Sequence, residues 1–362
     1  METKKRYDFI DLLKGIAICI VVISHFNNMP INFLDNSSFS TYFNYFLQTI
    51  FCFSVPIFFF ANGFLLLNKR SIDVKSHALK VLRIIALSIL WGAITMIALS
   101  LIKGETLTLN EFIKGSYFLK QGWNNHLWFL GALTCIYIFF PLIYTAFKNN
   151  KQVFNFFLIC VMIFTFGDVL LEYLLNTTSF LLNKFNNLDF RIDFGGMYDP
   201  FQGIYGYSIG VFMLGGLAFN YKESLNKKKY KYISIGGFLL SMFLLFLYGV
   251  ICSYRQQSIW NIWYGLDSVF ALLCVIFLFI ITLNYTSRGK IGAIISTLGN
   301  NSLGIYFTHI IFGHLTKPIF VQMDISTALW ANIIYASVVL LLSLFATLLM
   351  KKIPVVKFLF SI

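Results

Sequence analysis

Charge is what this sequence of 362 residues has least of: Asp, Glu, Lys and Arg together make up 12%, against 58% hydrophobic residues. Soluble domains carry ~25% charged residues. A water-soluble fold would have too little polar surface to cover so much apolar surface, and the same numbers exclude disorder. Pro/Gly linkers, low-complexity tracts and internal repeats are missing, which points to one compact bundle instead of a string of domains. The expected organisation is a single unit over 1–362 with no appended soluble domain. There are only six cysteines, all in or at the end of apolar runs, with neither C-x-x-C pairing nor metal-ligand spacing. They read as small buried hydrophobes, and no metal site is expected. A Gly-rich phosphate loop after a strand and a Ser nucleophile elbow are also lacking.

Long apolar runs are what is present. A membrane-spanning helix needs ~20 apolar residues at 1.5 Å per residue. Ten runs qualify, near 9–29, 42–67, 83–102, 127–147, 153–175, 203–219, 231–252, 262–283, 302–320 and 328–350. They are continuous and do not alternate with period two, which excludes a β-barrel. The fold expected is therefore an all-α polytopic membrane bundle of about ten transmembrane helices. The run at 42–67 is long enough to tilt or to begin at the interface.

Orientation follows from the loops. With the N-terminus inside, 20 of the 28 Lys and Arg fall in cytoplasmic segments, including Lys4–Arg6, Lys69, Arg70, Lys75, Lys80, Arg83 and Lys227–Lys229. Seven fall outside: Lys103, Lys114, Lys120, Lys184, Arg191, Arg255 and Lys317. This bias places both termini in the cytoplasm. The formal net charge of +13 is then a topology signal and not a nucleic-acid footprint. The first run follows Lys4-Lys5-Arg6 like a signal sequence but is long and lacks a cleavage pattern, so it reads as a retained anchor. No loop is large enough for a catalytic domain. The outer segment Asn176–Gln202, with Asp189, Arg191, Asp193 and Asp199, reads either as a lid over an outward cleft or as an ordinary polar loop.

Function should lie with the polar residues inside the bundle, since a charge at mid-bilayer costs ~2.5–3.5 kcal/mol. The first helix carries Asp11, Lys14 and His25. Eleven residues is about three turns, so Lys14 and His25 share a face and stand roughly 16 Å apart along the axis. Asp11 lies one turn before Lys14 at pairing distance, and Ile18 and Val21 continue the stripe. The alternative is a snorkelling Lys and a packing His. His126 stands beside Trp128, Tyr306 lies one turn before His309, Asp168 and Glu172 share a face, and Asp267 begins the eighth helix.

The order of these residues resembles the membrane acyltransferase family 3, whose first helix reads broadly D-x-x-R/K-x-x-A…V…H; here that is Asp11, Lys14, Ala17, Val21 or Val22, and His25. VPIFFFANGFLL from Val55 to Leu66 is similar to the family's second-helix signature, with Asn62 in place of Ser. Lys80-Val81-Leu82-Arg83 resembles its basic-x-x-basic motif, NHLWFLGAL from Asn125 to Leu133 its fourth-helix start, and SLGIYFTH from Ser302 to His309 its late Ser-x-x-x-Tyr-x-x-His signature.

The resemblance implies transfer of an acyl group, commonly acetyl from acetyl-CoA, to hydroxyls of cell-surface or lipid-linked glycans in the bacterial cytoplasmic membrane. Acetyl-CoA or another acyl-CoA would be a co-substrate, with no permanently bound cofactor. Lys14, Lys80 and Arg83, with Asp11, would hold the donor phosphates. His25 would act either as the base or as an acyl-carrying nucleophile. His126, Trp128, Asn62, Tyr306 and His309 would serve the acceptor or support the site. The competing reading is a transporter or flippase for a lipid-linked sugar or exopolysaccharide, and the lack of repeat symmetry between the two halves argues against it.

Overall fold

The computed structural model describes residues 6–117, 123–182, 206–354 and 356–360, and among them helix is the only regular structure. Thirteen α-helices follow one another among the described residues: α1 Asp8–His25, α2 Phe39–Gln48, α3 Phe51–Leu66, α4 Val74–Lys103, α5 Leu109–Ser116, α6 Trp128–Asn149 and α7 Lys151–Met162 come first. After them come α8 Asp168–Leu181, α9 Gly206–Leu225, α10 Lys228–Gln256, α11 Val269–Thr282, α12 Gly289–Val321 and α13 Leu329–Lys352.

Among the described residues, six helical stretches are long and apolar enough to cross a membrane: Phe39–Leu66, Val74–Lys103, Asn125–Asn149, Lys151–Leu181, Lys228–Gln256 and Leu329–Lys352. Two of them are compound. α2 and α3 join through Thr49 and Ile50, and a π turn over Ile163–Gly167 joins α7 to α8. The described parts of the ten apolar runs lie largely on helix, but the remaining four are less uniformly apolar or shorter. α1 holds Asp8, Asp11 and Lys14, α9 and α12 carry Gly and polar residues, and α11 has 14 residues. These four helices pack against the longer ones and against each other. α3 lies along α9, α1 along α12 and α10 along α11.

The α3–α9 and α1–α12 interfaces bring backbone onto backbone, the role small residues play where lipid gives helices no hydrophobic drive to associate. A Cβ on Gly63 of α3 would overlap the Phe212 carbonyl of α9, and one on Gly215 of α9 would overlap the Phe60 carbonyl. A Cβ on Gly299 of α12 would overlap the Asp11 carbonyl of α1. The second contact seats the charged start of α1 directly against α12.

Helix ends are set by local chemistry and run past the apolar runs that mark them. Asp73 caps α4 by accepting the Ser76 N–H at 3.0 Å, ten residues before the run at 83–102, so Lys80 and Arg83 lie inside a helix. Gly104, at φ +67°, ends it. α12 likewise starts at Gly289, well before residue 302. The break at 103–126 contains α5, started by a capping box between Thr108 and Glu111. Of the candidate lid, Asn176–Leu181 completes α8; Lys184, Asp189, Arg191, Asp193 and Asp199 lie outside the described residues, as do Lys4, Lys5 and Lys120.

Candidate active-site cavity

A cavity of about 1620 Å³ runs through the bundle between α1, α3, α6 and α12. Its two ends differ in chemistry. Lys14, Lys69, Arg70 and Lys80 line one end, and His25, His126, Trp128, Trp263 and Tyr306 line the other. Val21, Val55, Phe58, Leu133 and Leu303 make the passage between them apolar, with Asn62 among them. Lys14 and His25 do share one face of α1, as their spacing requires, and that face is a wall of the cavity. Ile18 is instead fully buried and does not line it.

At the basic end, Asp11 is 4% exposed and takes two cations. Arg6 Nε lies 2.7 Å from its Oδ2, and Lys14 Nζ 3.2 Å from its Oδ1. The carboxylate therefore anchors Lys14 and does not itself line the cavity. The group of Arg6, Asp11 and Lys14 keeps a net positive charge beside the opening. Lys80 lines the cavity from α4, one turn beyond His77, whose Nε2 lies 2.6 Å from the Tyr137 carbonyl. Arg83, three residues further along, is exposed and is not part of the lining. The fourth and third cations are Arg70 and Lys69, in the turn that leaves α3; the Lys69 carbonyl accepts from Tyr144 Oη at 3.0 Å. Sequence reasoning used both only to orient the chain. Their position directly after the Val55–Leu66 motif was the signal for a binding role.

At the other end, helix termini bring imidazoles from distant parts of the chain together. His25 closes α1 and is accessible although it sits within the bundle, because it faces the cavity. His126 is held in a 3-10 turn, Asn125–Leu127, at the start of α6. Tyr306 Oη donates to the His126 carbonyl at 2.6 Å, fastening α12 to that turn. Ring centroids separate His25 from His309 by 5.4 Å, and His126 from His309 by 5.8 Å.

His309 is fully buried behind them, outside the lining. Its Nδ1 lies 2.7 Å from the Tyr306 carbonyl and 3.2 Å from that of Ile305. A carbonyl only accepts, so Nδ1 carries the proton, and in the neutral ring Nε2 is left as a bare lone pair. Among the described residues, neither His309 Nε2 nor His126 Nε2 has a hydrogen-bond partner. Trp263 stacks on His25 at 5.9 Å and 27°. Sequence reasoning singled out the three histidines separately, but their grouping spans nearly 300 residues and leaves no local signature; Trp263 left none at all.

This end can move a proton or carry an acyl group on nitrogen, and the basic end can hold a polyanion. Among the described residues, no group of three or more His, Cys, Asp or Glu has an arrangement for a metal ion. Asn62, which lines the cavity, donates to the Phe58 carbonyl at 2.9 Å and serves its own helix.

Apolar helices around a cavity with cations at one mouth and imidazoles at the other define a multi-pass membrane protein equipped for group transfer. The particular group is given by the family model described as an acyltransferase domain, the Acyl_transf_3 model, which matches residues 7–352. The chain belongs to that acyltransferase family. No match was found among curated proteins or among solved structures.

Proposed function

We propose that this protein is an O-acyltransferase of the bacterial cytoplasmic membrane, moving an acyl group, acetyl by preference, from cytoplasmic acyl-CoA to a hydroxyl of a surface or lipid-linked glycan. One observation carries the reading: a single cavity joins a cluster of four cations to an accessible imidazole. Coenzyme A is a long polyanion with a thioester at its far end, so cations and reacting centre must be separated by a slot. The apolar passage is such a slot. We read the chain as one unit of ten spans with both termini cytoplasmic, on the strength of its Lys/Arg distribution, and the basic end then faces the cytoplasm.

In this mechanism Lys14, Lys69, Arg70 and Lys80 hold the donor phosphates, Arg70 with a fork geometry and the lysines as point charges. The acceptor hydroxyl gives its proton to His25. Its oxygen attacks the thioester carbonyl, the C–S bond breaks as the ester C–O bond forms, and the imidazolium returns the proton to the departing thiolate. The products are an acylated glycan and free coenzyme A. His309, with Nδ1 committed to the Tyr306 carbonyl, is a positioning residue that offers an acceptor nitrogen behind His25.

The test is acyl-CoA turnover by the full chain in lipid nanodiscs. We expect CoA release that rises with added glycan acceptor and falls by ~10²-fold or more in His25→Gln, with CoA binding retained. A stoichiometric burst of CoA without acceptor would assign His25 the nucleophilic role. A protein that neither binds nor turns over acyl-CoA would return the reading to a flippase.

A further inference from the structure

Beyond Trp263 lies a second, smaller cavity of about 310 Å³, at the end of the bundle remote from Lys14. Trp263 lines both cavities and separates them. We propose that the smaller one is a binding site for a single neutral sugar residue of the acceptor. Its assignment to the acceptor rests on the acyltransferase reading, but its occupancy by sugar does not.

Size comes first. The volume is at the lower limit of the ~300–1,000 Å³ typical of small-molecule sites, which suits one ring and not an extended chain. Charge comes next. None of the lining side chains is Lys, Arg, Asp or Glu, so an anionic ligand would lose its hydration with no counter-charge to offset the loss.

The walls are aromatic and carboxamide. Trp260 and Phe51 are buried, and Trp263 is half-buried with its ring inclined by 27° to those of Phe51 and His25. The negative face of an indole attracts the slightly positive C–H groups that crowd one face of a pyranose ring.

The polar atoms match hydroxyls. Gln48 is 8% exposed, and its Nε2 donates to Asn27 Oδ1 at 3.4 Å. Asn27 in turn donates to the Ile23 and Ser24 carbonyls, each at 3.2 Å, at the end of α1. This chain engages the nitrogen of Gln48, while no described residue donates to its Oε1. Asn261 is arranged the opposite way: its Oδ1 accepts the Trp263 N–H at 3.1 Å, leaving the two protons of Nδ2 available. The cavity thus offers a buried acceptor and a pair of donors. A hydroxyl both donates and accepts, and a vicinal pair on one ring can satisfy both. A lipid chain would satisfy neither, and would leave Gln48 unpaired at a cost. A sugar stacked on Trp263 lies beside the imidazole that Trp263 itself stacks on.

The experiment is saturation-transfer NMR on the full chain in nanodiscs, without acyl-CoA. The probes are the methyl glycosides of glucose, galactose and N-acetylglucosamine, with methyl glucuronide as the anionic counterpart. CoA binding to the same samples is measured calorimetrically. We expect saturation of ring C–H protons in at least one neutral glycoside and none in the glucuronide. Gln48→Leu and Asn261→Ala should each bind about tenfold more weakly, with CoA binding unchanged as the sign of an intact fold. Equal saturation of the glucuronide, wild-type affinity in both variants, or no saturation of any neutral glycoside by a protein that binds CoA would overturn the proposal. Sugar binding by a protein that fails to bind CoA would leave the sugar site standing and remove the acyltransferase reading.

Discussion

The two ends of the main cavity are built on different principles. At the basic end, Lys14, Lys69, Arg70 and Lys80 come from three short stretches near helix ends, and Arg6 and Lys14 both pair with the carboxylate of Asp11. Point charges at a mouth act additively and over several ångströms, so the arrangement tolerates small movements and exchange of one cation for another. At the opposite end, three imidazoles from α1, the start of α6 and α12 lie with His309 within 6 Å of the other two. Proton transfer depends on which nitrogen carries the hydrogen and where it points, and so on every bond that orients the rings. On the proposed reading, a sum of charges binds the donor. On the same reading, a fixed constellation does the chemistry.

The sharpest way to break this comparison is to remove one group from each end. His25→Gln, of similar shape but unable to exchange a proton, should lower turnover by ~10²-fold or more and leave the KM for acyl-CoA near its original value. Lys14→Ala should do the reverse, raising KM by ~10-fold or more with kcat largely kept, since a charge-assisted hydrogen bond is worth ~1.5–3 kcal/mol. Steady-state kinetics separates the two. A kcat loss in Lys14→Ala equal to that of His25→Gln would show that the ends are not divided in this way. Lys14→Arg should retain most donor affinity, because the charge stays and Asp11 still accepts it.

A finer measurement sharpens the imidazole side alone. Tyr306→Phe deletes the hydroxyl that donates to the His126 carbonyl and leaves the aromatic packing in place. One neutral hydrogen bond contributes ~0.5–1.5 kcal/mol, so kcat should fall by roughly 2- to 10-fold with donor KM unchanged. No change in kcat, with the protein folded, would mean that the turn carrying His126 is held by other contacts and that the fastening across α12 is incidental.

The same contrast explains what could be read in the sequence. The ten apolar runs, the shared face of Lys14 and His25, and the Asp11–Lys14 pair follow from helix periodicity and from the cost of burying charge, both of which are local. The position of His309 behind His25 is not local. It depends on α1 lying along α12, which Gly299 permits through its contact with the Asp11 carbonyl, and nothing in the spacing of one helix reports on its neighbour. Trp263 and the carboxamides around it escaped notice for a related reason. Asn27 follows α1, Gln48 is the last residue of α2, and Asn261 and Trp263 belong to a short turn before α11, so in the sequence each is an isolated polar or aromatic residue at the edge of an element, meaningful only once the turn at Asn261 folds over the end of α1.

Arg83 is the mildest test and bears on that lesson. Its motif, Lys80-Val81-Leu82-Arg83, makes two cations three residues apart look like a single phosphate grip. Three residues on a helix turn the side chain by ~300°, leaving it ~60° away from its predecessor. That offset is enough to put Lys80 on the cavity wall and Arg83 on the outer, exposed side of α4. Arg70, in the turn after α3, supplies the guanidinium at the mouth instead. Arg70→Ala should therefore raise the acyl-CoA KM by ~10-fold, and Arg83→Ala by less than about fivefold, since exposed charges contribute ~0–1 kcal/mol. Donor titration of both variants in low and moderate salt gives the answer. A larger loss from Arg83→Ala than from Arg70→Ala would mean that α4 rotates when the donor binds, bringing the whole motif inward.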